Sequence, residues 1–280
     1  MQLCACGPKF AGYRKGMVII MKKYLLIYKE SIRVSIASAA TYRANFILHS
    51  IITLLGNIVF PLVTILIYGS GASFEGWSMY EVLLIQSIFT MSTGLSNMFF
   101  GGMVWNTMGH VKEGTLETVL IKPVDCMFYL LATNFGIHSF GVVAGGMIVF
   151  IISLVHVGNT TILMWLQFLL LFFMGLFVML GLELLMAATS FKWVANSRIP
   201  EIYGSVRQFG NYPQTIFNKS ILYLTSFLLP VGMIGFFPAS ALLGRLEWWM
   251  FVSILPCILF LMLGVWVYRY MVRLYEGVGG

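Results

Sequence analysis

The chain has 280 residues, of which 59% are hydrophobic and 10% are charged, and its formal net charge is +7. Because so few charged side chains cannot cover the surface of a soluble domain of this size, the composition excludes a soluble globular protein and indicates an integral membrane protein. The basic excess does not indicate binding to nucleic acid, because the basic residues flank apolar segments, where anionic lipid and membrane topology require them.

The N-terminal region divides into two parts. Residues 1–21 differ in composition from the rest of the chain, and Met21 precedes two lysines as an ordinary start does, so we expect this part to be a dispensable extension or a disordered tail. From Lys22 to Arg43, apolar and charged residues form an imperfect apolar stripe. Two interpretations fit it: a basic flank for the first membrane span, or an amphipathic helix that lies in the membrane interface and packs against the helix bundle.

Six segments after this region are long and apolar enough to cross about 30 Å of hydrocarbon as helices. They predict an all-α integral membrane domain over residues 22–276, followed by a short tail at 277–280. Every basic residue except Arg245 then falls on one side of the membrane, and because Lys and Arg are retained in the cytoplasm, both termini are predicted to be cytoplasmic. The segments are Phe46–Tyr68, Val82–Val104, Met127–His156, Ile162–Ser190, Ile221–Phe237 and Trp248–Tyr268.

Polar residues inside these spans suggest two possible sites. Glu183 is the only Asp, Glu, Lys or Arg within the six segments; it either bonds a neighbouring helix or the interface, or takes part in substrate binding or coupling. In the second span, polar side chains recur at three- and four-residue intervals and so share one helical face. That face either lines a substrate path or packs closely against another helix. Its candidate path residues are Gln86, Thr90, Thr93 and Asn97.

Glycine and proline mark two further features. Gly141 and Gly145 in the third span form a small-xxx-small pattern that allows close contact between helices. In the fifth span, Pro230 and the glycines after it break a straight helix. Because broken backbone at membrane depth must be covered by protein or water, we expect Phe236–Glu247 to turn back on the outer side as a re-entrant hairpin.

The chain contains no recognisable catalytic motif. It has no Gly-x-x-x-x-Gly-Lys-Ser/Thr nucleotide loop, no His-Glu-x-x-His and no Gly-x-Ser-x-Gly, and its Cys and His residues suggest neither a disulfide framework nor a metal site. Transport powered by ATP would therefore take its energy from another polypeptide, which needs a surface on which to dock. The polar loop from Gly109 to Asp125, between the second and third spans, is either that surface or a solvated turn.

This loop also resembles a known family. Glu113–Val124 resembles the Gly-Thr-Leu-Asp/Glu-x-Leu-Leu-x-Arg/Lys-Pro segment of type-2 ABC transporter permeases, and more narrowly that of the bacterial ABC-2 family of six-span exporter permeases. The acidic position of the segment is Glu117 and the basic position is Lys122. Phe209–Pro213, followed by Phe236–Ala239, is similar to the Phe-x-x-Tyr-Pro and Pro-Ala ending of the same group.

The resemblance implies an exporter permease of the bacterial cytoplasmic membrane that performs no chemistry itself. It implies an interfacial elbow helix before the first span, a cytoplasmic coupling helix between the second and third, and a re-entrant outer hairpin before the last. It further implies a second permease, identical or a sister chain, and two ATP-binding cassette subunits that hold ATP and magnesium, while this chain holds no cofactor. The residues implied to dock the ATPase or to set the exit of the coupling helix are Lys112, Glu113, Gly114, Thr115, Leu116, Glu117, Leu120, Lys122 and Pro123.

Two other functions are compatible with a multi-pass membrane protein. One is a membrane-embedded lipid-modifying enzyme or assembly factor that works through the loop Phe191–Ser220, although that loop has no recognisable pair of nucleophile and base. The other is a secondary transporter, which the scarcity of charge inside the spans and the lack of an evident inverted repeat disfavour.

Overall fold

A computed structural model describes residues 9–158, 160–193 and 198–275, with side chains from residue 22 onward. All regular structure in these ranges is helical. Residues 1–8 and 277–280, which belong to the predicted extension and tail, lie outside them. The helices are α1 (Lys9–Thr41), α2 (Arg43–Gly69), α3 (Met79–Phe99), α4 (Gly101–Lys112), α5 (Leu116–Leu120), α6 (Cys126–Ala132), α7 (Phe140–Val157), α8 (Ile162–Thr189), α9 (Arg198–Gln208), α10 (Lys219–Tyr223), α11 (Phe236–Leu242), α12 (Trp248–Val252) and α13 (Ile254–Arg273).

Five helical segments in the described part of the chain are long and apolar enough to cross a membrane. They are α2, α3, the segment Ile137–Val157 that contains α7, α8, and the segment Trp248–Arg273 that contains α12 and α13. Each corresponds to one of the predicted spans. The all-helical, multi-pass architecture expected from composition is therefore confirmed, whereas the fifth predicted span has no such helix.

The second and third predicted spans are interrupted. α3 ends at Phe99, and the chain turns at Phe100 before continuing as α4, so Val82–Val104 is not one helix. Residues 133–136 leave the helical conformation between α6 and the short turn that leads into α7, which divides Met127–His156. Apolar composition alone does not reveal either interruption, because the side chains on both sides of each break remain apolar.

The fifth predicted span, Ile221–Phe237, forms part of a hairpin and is not a single helix. α10 runs into a π-helical turn at Leu224–Leu228, Pro230 comes next, and the chain reverses through a 3-10 turn at Val231–Met233 into α11. Proline has no amide hydrogen and its ring clashes with the preceding turn, so the helix cannot continue through it. Residues 219–242 are called the hairpin below.

The tip of the hairpin packs between α3 and α8. A Cβ atom on Gly175 of α8 would lie only 2.5 Å from the carbonyl oxygen of Met233, so only glycine allows this approach. From α3, Ser92 Oγ donates a hydrogen bond of 2.9 Å to the carbonyl oxygen of Ile234. Gly175 and Ser92 each lie 13 residues after the first residue of their helix. Both helices therefore place the tip about 20 Å from their N-terminal ends.

Glycines also set the closest contacts between the long helices. A Cβ atom on Gly94 of α3 would lie 2.6 Å from Cγ2 of Val143 in α7, and one on Gly141 of α7 would lie 2.2 Å from the carbonyl oxygen of Ser50 in α2. Gly145, one turn after Gly141, also faces α2. The small-residue pattern of the third span thus packs α7 against α2, as small side chains at helix interfaces do.

Candidate functional site

The first candidate surface is the loop between α4 and α6, which contains α5. Gly114, with a φ of 68°, takes the left-handed conformation that turns the chain out of α4. His110 Nδ1 lies 2.8 Å from Thr115 Oγ1, and Thr118 Oγ1 donates a hydrogen bond of 2.7 Å to the carbonyl oxygen of Thr115. Leu116 then begins α5. The loop is an ordered helical turn with its own hydrogen bonds.

Two apolar residues of α5 point into the body of the chain. Leu116 and Val119 are 0% and 1% exposed, and they belong to a core that includes Val111, Leu130 and Tyr268. Burying one such side chain favours this placement by about 1.5–3 kcal/mol. The expectation that Leu116 contacts a partner protein is therefore corrected, because Leu116 holds α5 against its own chain.

The other residues of α5 and the residue after it are exposed. Two large apolar side chains there, Leu120 and Ile121, are 42% and 83% exposed. The sequence-predicted set omits Ile121, because in the sequence it is one more apolar residue ahead of the third span. Three charged residues of the same loop region are exposed as well: Lys112 and Glu113 at the end of α4, and Glu117 in α5. The exposed surface is called the docking face and consists of Lys112, Glu113, Glu117, Leu120 and Ile121.

The residues after α5 anchor it to neighbouring helices. Lys122 Nζ bonds the hydroxyl of Tyr129 in α6 and lies 3.9 Å from the centre of its ring. From α1, Lys23 Nζ donates a hydrogen bond of 2.9 Å to the carbonyl oxygen of Pro123. The docking face is thus joined directly to α6 and to α1.

Asp125 adds a second anchor at the start of α6. Its carboxylate accepts a hydrogen bond of 3.0 Å from the amide of Phe128, which caps α6, and lies 3.9 Å from Arg269 of α13. Its own amide donates a hydrogen bond of 3.1 Å to the hydroxyl of Tyr24, whose ring packs edge-on against Phe128 at 4.5 Å. Through these contacts, a displacement of α5 would move α1, α6 and α13 as well.

The predicted path residues of α3 divide into two groups. Gln86 is buried, and its Nε2 donates a hydrogen bond of 2.8 Å to Thr64 Oγ1 of α2. Thr90 Oγ1 donates within its own helix to the carbonyl oxygen of Gln86, and Thr93 Oγ1 is buried without a hydrogen-bond partner in the described ranges. These three residues lie in a helix-packing region. Asn97, near the end of α3, instead lines a cavity.

This cavity has a volume of about 460 Å³ and lies between α3, α4, α8, α9 and the segment that precedes α7. Small-molecule pockets are typically about 300–1,000 Å³, so it is large enough for a ligand. Its lining includes Asn97, Trp105, Asn134, Glu183 and Arg207. Asn97 and Glu183 are predicted site residues, and the fold brings them to the same cavity.

Glu183 and Arg207 form an ion pair in the wall of the cavity. Arg207 Nη1 lies 3.9 Å from Glu183 Oε1, and Glu183 is only 6% exposed. Glu183 therefore contacts α9, a neighbouring helix. In the sequence, Arg207 falls in a predicted connecting loop and is not among the predicted site residues. The sequence does contain one indication of Arg207: Glu183 is an isolated acid in an apolar segment. A buried charge of this kind requires an opposite charge beside it, so a basic partner had to exist.

A second ion pair lies at the N-terminal end of α3. Arg245 Nη2 is 2.7 Å from Glu81 Oε1, and the Arg245 guanidinium lies 4.8 Å from the centre of the Trp77 ring. Trp77 Nε1 donates a hydrogen bond of 2.8 Å to Thr215 Oγ1. These contacts join the start of α3 to the chain on both sides of the hairpin. Within the described ranges, no group of three or more His, Cys, Asp or Glu residues could hold a metal ion.

The chain matches a protein-family model. The model of a family described as "ABC-2 family transporter protein" matches residues 51–279, which include the docking face, the cavity and the hairpin. A search of curated proteins and a search of solved structures found no match.

Proposed function

Since this chain belongs to the ABC-2 family of transporter proteins, and is thus an ABC-type permease, we propose that it is the membrane-spanning subunit of a bacterial exporter in the cytoplasmic membrane. A separate ATP-binding cassette subunit would bind ATP and magnesium and hydrolyse the ATP. The observation that supports separate permease and ATPase subunits is the docking face, an exposed charged and apolar surface at α5 and the end of α4, next to residues of α5 that are buried in the core.

The packing of α5 explains how a push from the ATPase would reach the spans. Leu116 is fully buried, so α5 cannot slide over the chain beneath it without opening a cavity. Movement of α5 is then passed to α6 through Lys122 and Tyr129, and to α13 through Asp125 and Arg269. α6 leads into the third predicted span. In this proposal α5, which carries part of the docking face, is therefore the coupling helix.

We further propose a six-span topology in which residues 198–216 form the fifth crossing. Pro200 lines a small cavity with Met186, near the C-terminal end of α8, whereas Thr215 bonds Trp77 just ahead of α3. The segment thus connects opposite ends of the bundle. A helix of 11 residues covers about 16 Å, and the turns after it, at about 2 Å or more per residue, cover the rest of the roughly 30 Å hydrocarbon layer.

In this topology the hairpin enters and leaves on the outer side, with its tip about 20 Å from the outer ends of α3 and α8. It is re-entrant, as the sequence predicts, but it comprises residues 219–242, where the sequence indicated Phe236–Glu247. Both termini remain cytoplasmic. Lys219 joins Arg245 outside, Arg207 lies within the membrane, and the other basic residues stay on the inner side.

Labelling of single cysteines tests this topology. In a cysteine-free background, Lys219→Cys should react with an impermeant maleimide added to intact cells, because Lys219 is exposed and lies outside. Lys192→Cys, an exposed lysine just after α8, is the matched control and should react only after permeabilisation. Labelling of Lys219→Cys only after permeabilisation would contradict the crossing at 198–216 and favour Ile221–Phe237 as the span.

We also propose that α1 is the elbow helix and that a second permease, identical or a sister chain, completes the transporter. Lys23 and Tyr24 of α1 bond the loop after α5, which supports a position at the inner interface. Of the residues of α2, only Pro61 and Thr64 are buried in the single chain. The remaining apolar surface of α2 requires lipid or a second permease to cover it.

Co-purification tests the proposed function. The chain is purified in mild detergent from its own cell, and the bound proteins are identified by mass spectrometry. A stoichiometric ATP-binding subunit is expected with the wild type and with Glu75→Lys, an exposed acid ahead of α3, but not with Glu117→Lys on the docking face. A wild-type chain that purifies without an ATPase would contradict the proposal and favour a lipid-modifying enzyme or assembly factor.

A further inference from the structure

The ion pair in the cavity wall is incompletely bonded. Arg207 Nη1 lies 3.9 Å from Glu183 Oε1, too far for a good hydrogen bond, and neither side chain has a hydrogen-bond partner in the described ranges. Charge-assisted hydrogen bonds are about 2.7–2.9 Å long, a carboxylate can accept several, and a guanidinium has five N–H donors. Burying two charges is costly unless further hydrogen bonds satisfy them. The pair therefore retains unused bonding capacity on the side that faces the cavity.

The rest of the lining includes polar side chains and the indole ring of Trp105. The amide side chains of Asn97 and Asn134 face the same cavity and have no hydrogen-bond partner in the described ranges. Phe99, two residues after Asn97, and Phe135, the residue after Asn134, contact each other, with ring centres 5.5 Å apart. Trp105, which also lines the cavity, is 62% exposed, and exposed tryptophan is typical of the membrane interface.

The position of the cavity matches the level of the inner leaflet. Glu183 lies six residues before the last residue of α8, which is about 9 Å along the helix. In the topology proposed above, this is close to the boundary between the headgroups and the hydrocarbon of the inner leaflet. An amphiphile in that leaflet would reach the cavity with its headgroup while its acyl chains remain beside Trp105.

On the basis of the permease function proposed above, we propose that the cavity binds the zwitterionic headgroup of a lipid-like substrate, with Arg207 binding its phosphate and Glu183 its amine. A ligand with only a negative charge would lie against Glu183, and one with only a positive charge would lie against Arg207. A headgroup with both charges satisfies each partner, and the amides of Asn97 and Asn134 supply further donors and acceptors.

Lipid binding to the purified chain tests this assignment directly. Phosphatidylethanolamine, phosphatidylglycerol and diacylglycerol with identical acyl chains are each added in detergent, and bound lipid is measured by native mass spectrometry. Phosphatidylethanolamine should bind at least about tenfold more tightly than the other two, because it alone bonds both charges. Equal binding of the three lipids by the wild type would overturn the proposal without reference to any variant.

Two variants and a soluble competitor sharpen the test. Glu183→Gln should remove the preference for phosphatidylethanolamine over phosphatidylglycerol, whereas Glu81→Gln, the same change in the Glu–Arg pair at the other end of α3, should keep it. Glycerophosphoethanolamine, which lacks acyl chains, should compete only weakly. Competition equal to that of the intact lipid would show a soluble ligand and overturn the lipid-like class.

The binding assay uses this chain alone, so its result is separate from co-purification of the ATPase. A stable complex with an ATP-binding subunit but no headgroup preference would refute only the cavity assignment. A headgroup preference in a chain that never binds an ATPase would refute the exporter function and leave the lipid site.

Discussion

Truncation of Ile121 to alanine tests which side of α5 meets the partner. Ile121 is 83% exposed, so Ile121→Ala should change the free energy of unfolding by less than about 0.5 kcal/mol. If the ATPase buries this side chain, the variant loses roughly three methylene groups at about 0.8 kcal/mol each, or about 2.4 kcal/mol. The dissociation constant of the ATPase should then rise about fiftyfold.

The assay is a titration of the ATP-binding subunit onto the chain in lipid nanodiscs, with thermal unfolding of the chain as the measure of its fold. Ile162→Ala is the matched control, because Ile162 is also isoleucine, is 82% exposed and lies at the opposite end of the bundle. Leu116→Ala, at a buried residue, should instead destabilise the chain and lower its free energy of unfolding by about 2–5 kcal/mol. Equal affinity in Ile121→Ala and Ile162→Ala would refute the docking face.

Two further outcomes are expected from packing and from the chemistry of a thiol. Gly141→Ala should lower the unfolding temperature of the chain, because the added Cβ would lie 2.2 Å from the carbonyl oxygen of Ser50. Gly56→Ala is the control and should not lower it, because no atom lies within 4 Å of the added Cβ. Equal unfolding temperatures of the two variants would contradict the contact of α2 with α7. Burial, with a smaller effect of Asp125, raises the pKa of the Cys126 thiol to about 11. With Cys126 as the single cysteine, alkylation of the folded chain by iodoacetamide should therefore be slow at pH 7 and accelerate about tenfold per pH unit towards pH 11. A rate that levels off near pH 9 would contradict the half-buried placement of the thiol.

The sequence alone determined the spans that cross as uninterrupted helices. The predicted segment Ile162–Ser190 and the observed α8, Ile162–Thr189, differ by one residue at one end. A helix that crosses the membrane must be apolar over the thickness of the hydrocarbon layer. The positions where the sequence changes from apolar to polar therefore mark the ends of the helix. The position of the polar loop that contains α5 was also predictable, because a charged stretch between two apolar segments must leave the membrane.

Only the tertiary structure decided which residues of that loop are available. Leu116 and Ile121 are both apolar and lie in the same short segment, yet one is buried and the other exposed. A helix of five residues shows no clear periodicity, so its orientation depends on the core beneath it. That core combines the flanking helices α4 and α6 with α8 and α13, and the last two are distant from α5 in sequence.

The tertiary structure also decided the partner of Glu183 and the path of the chain after α8. Arg207 lies in a polar segment that hydropathy assigns to a loop, and only folding places it beside the buried carboxylate. The apolar run Ile221–Phe237 is long enough to cross a membrane but folds as part of a hairpin, because its broken backbone finds partners on other helices. The hydrogen bond from Ser92 to Ile234 is one of them, and hydropathy cannot report it because it depends on backbone geometry and on a residue far away in the chain.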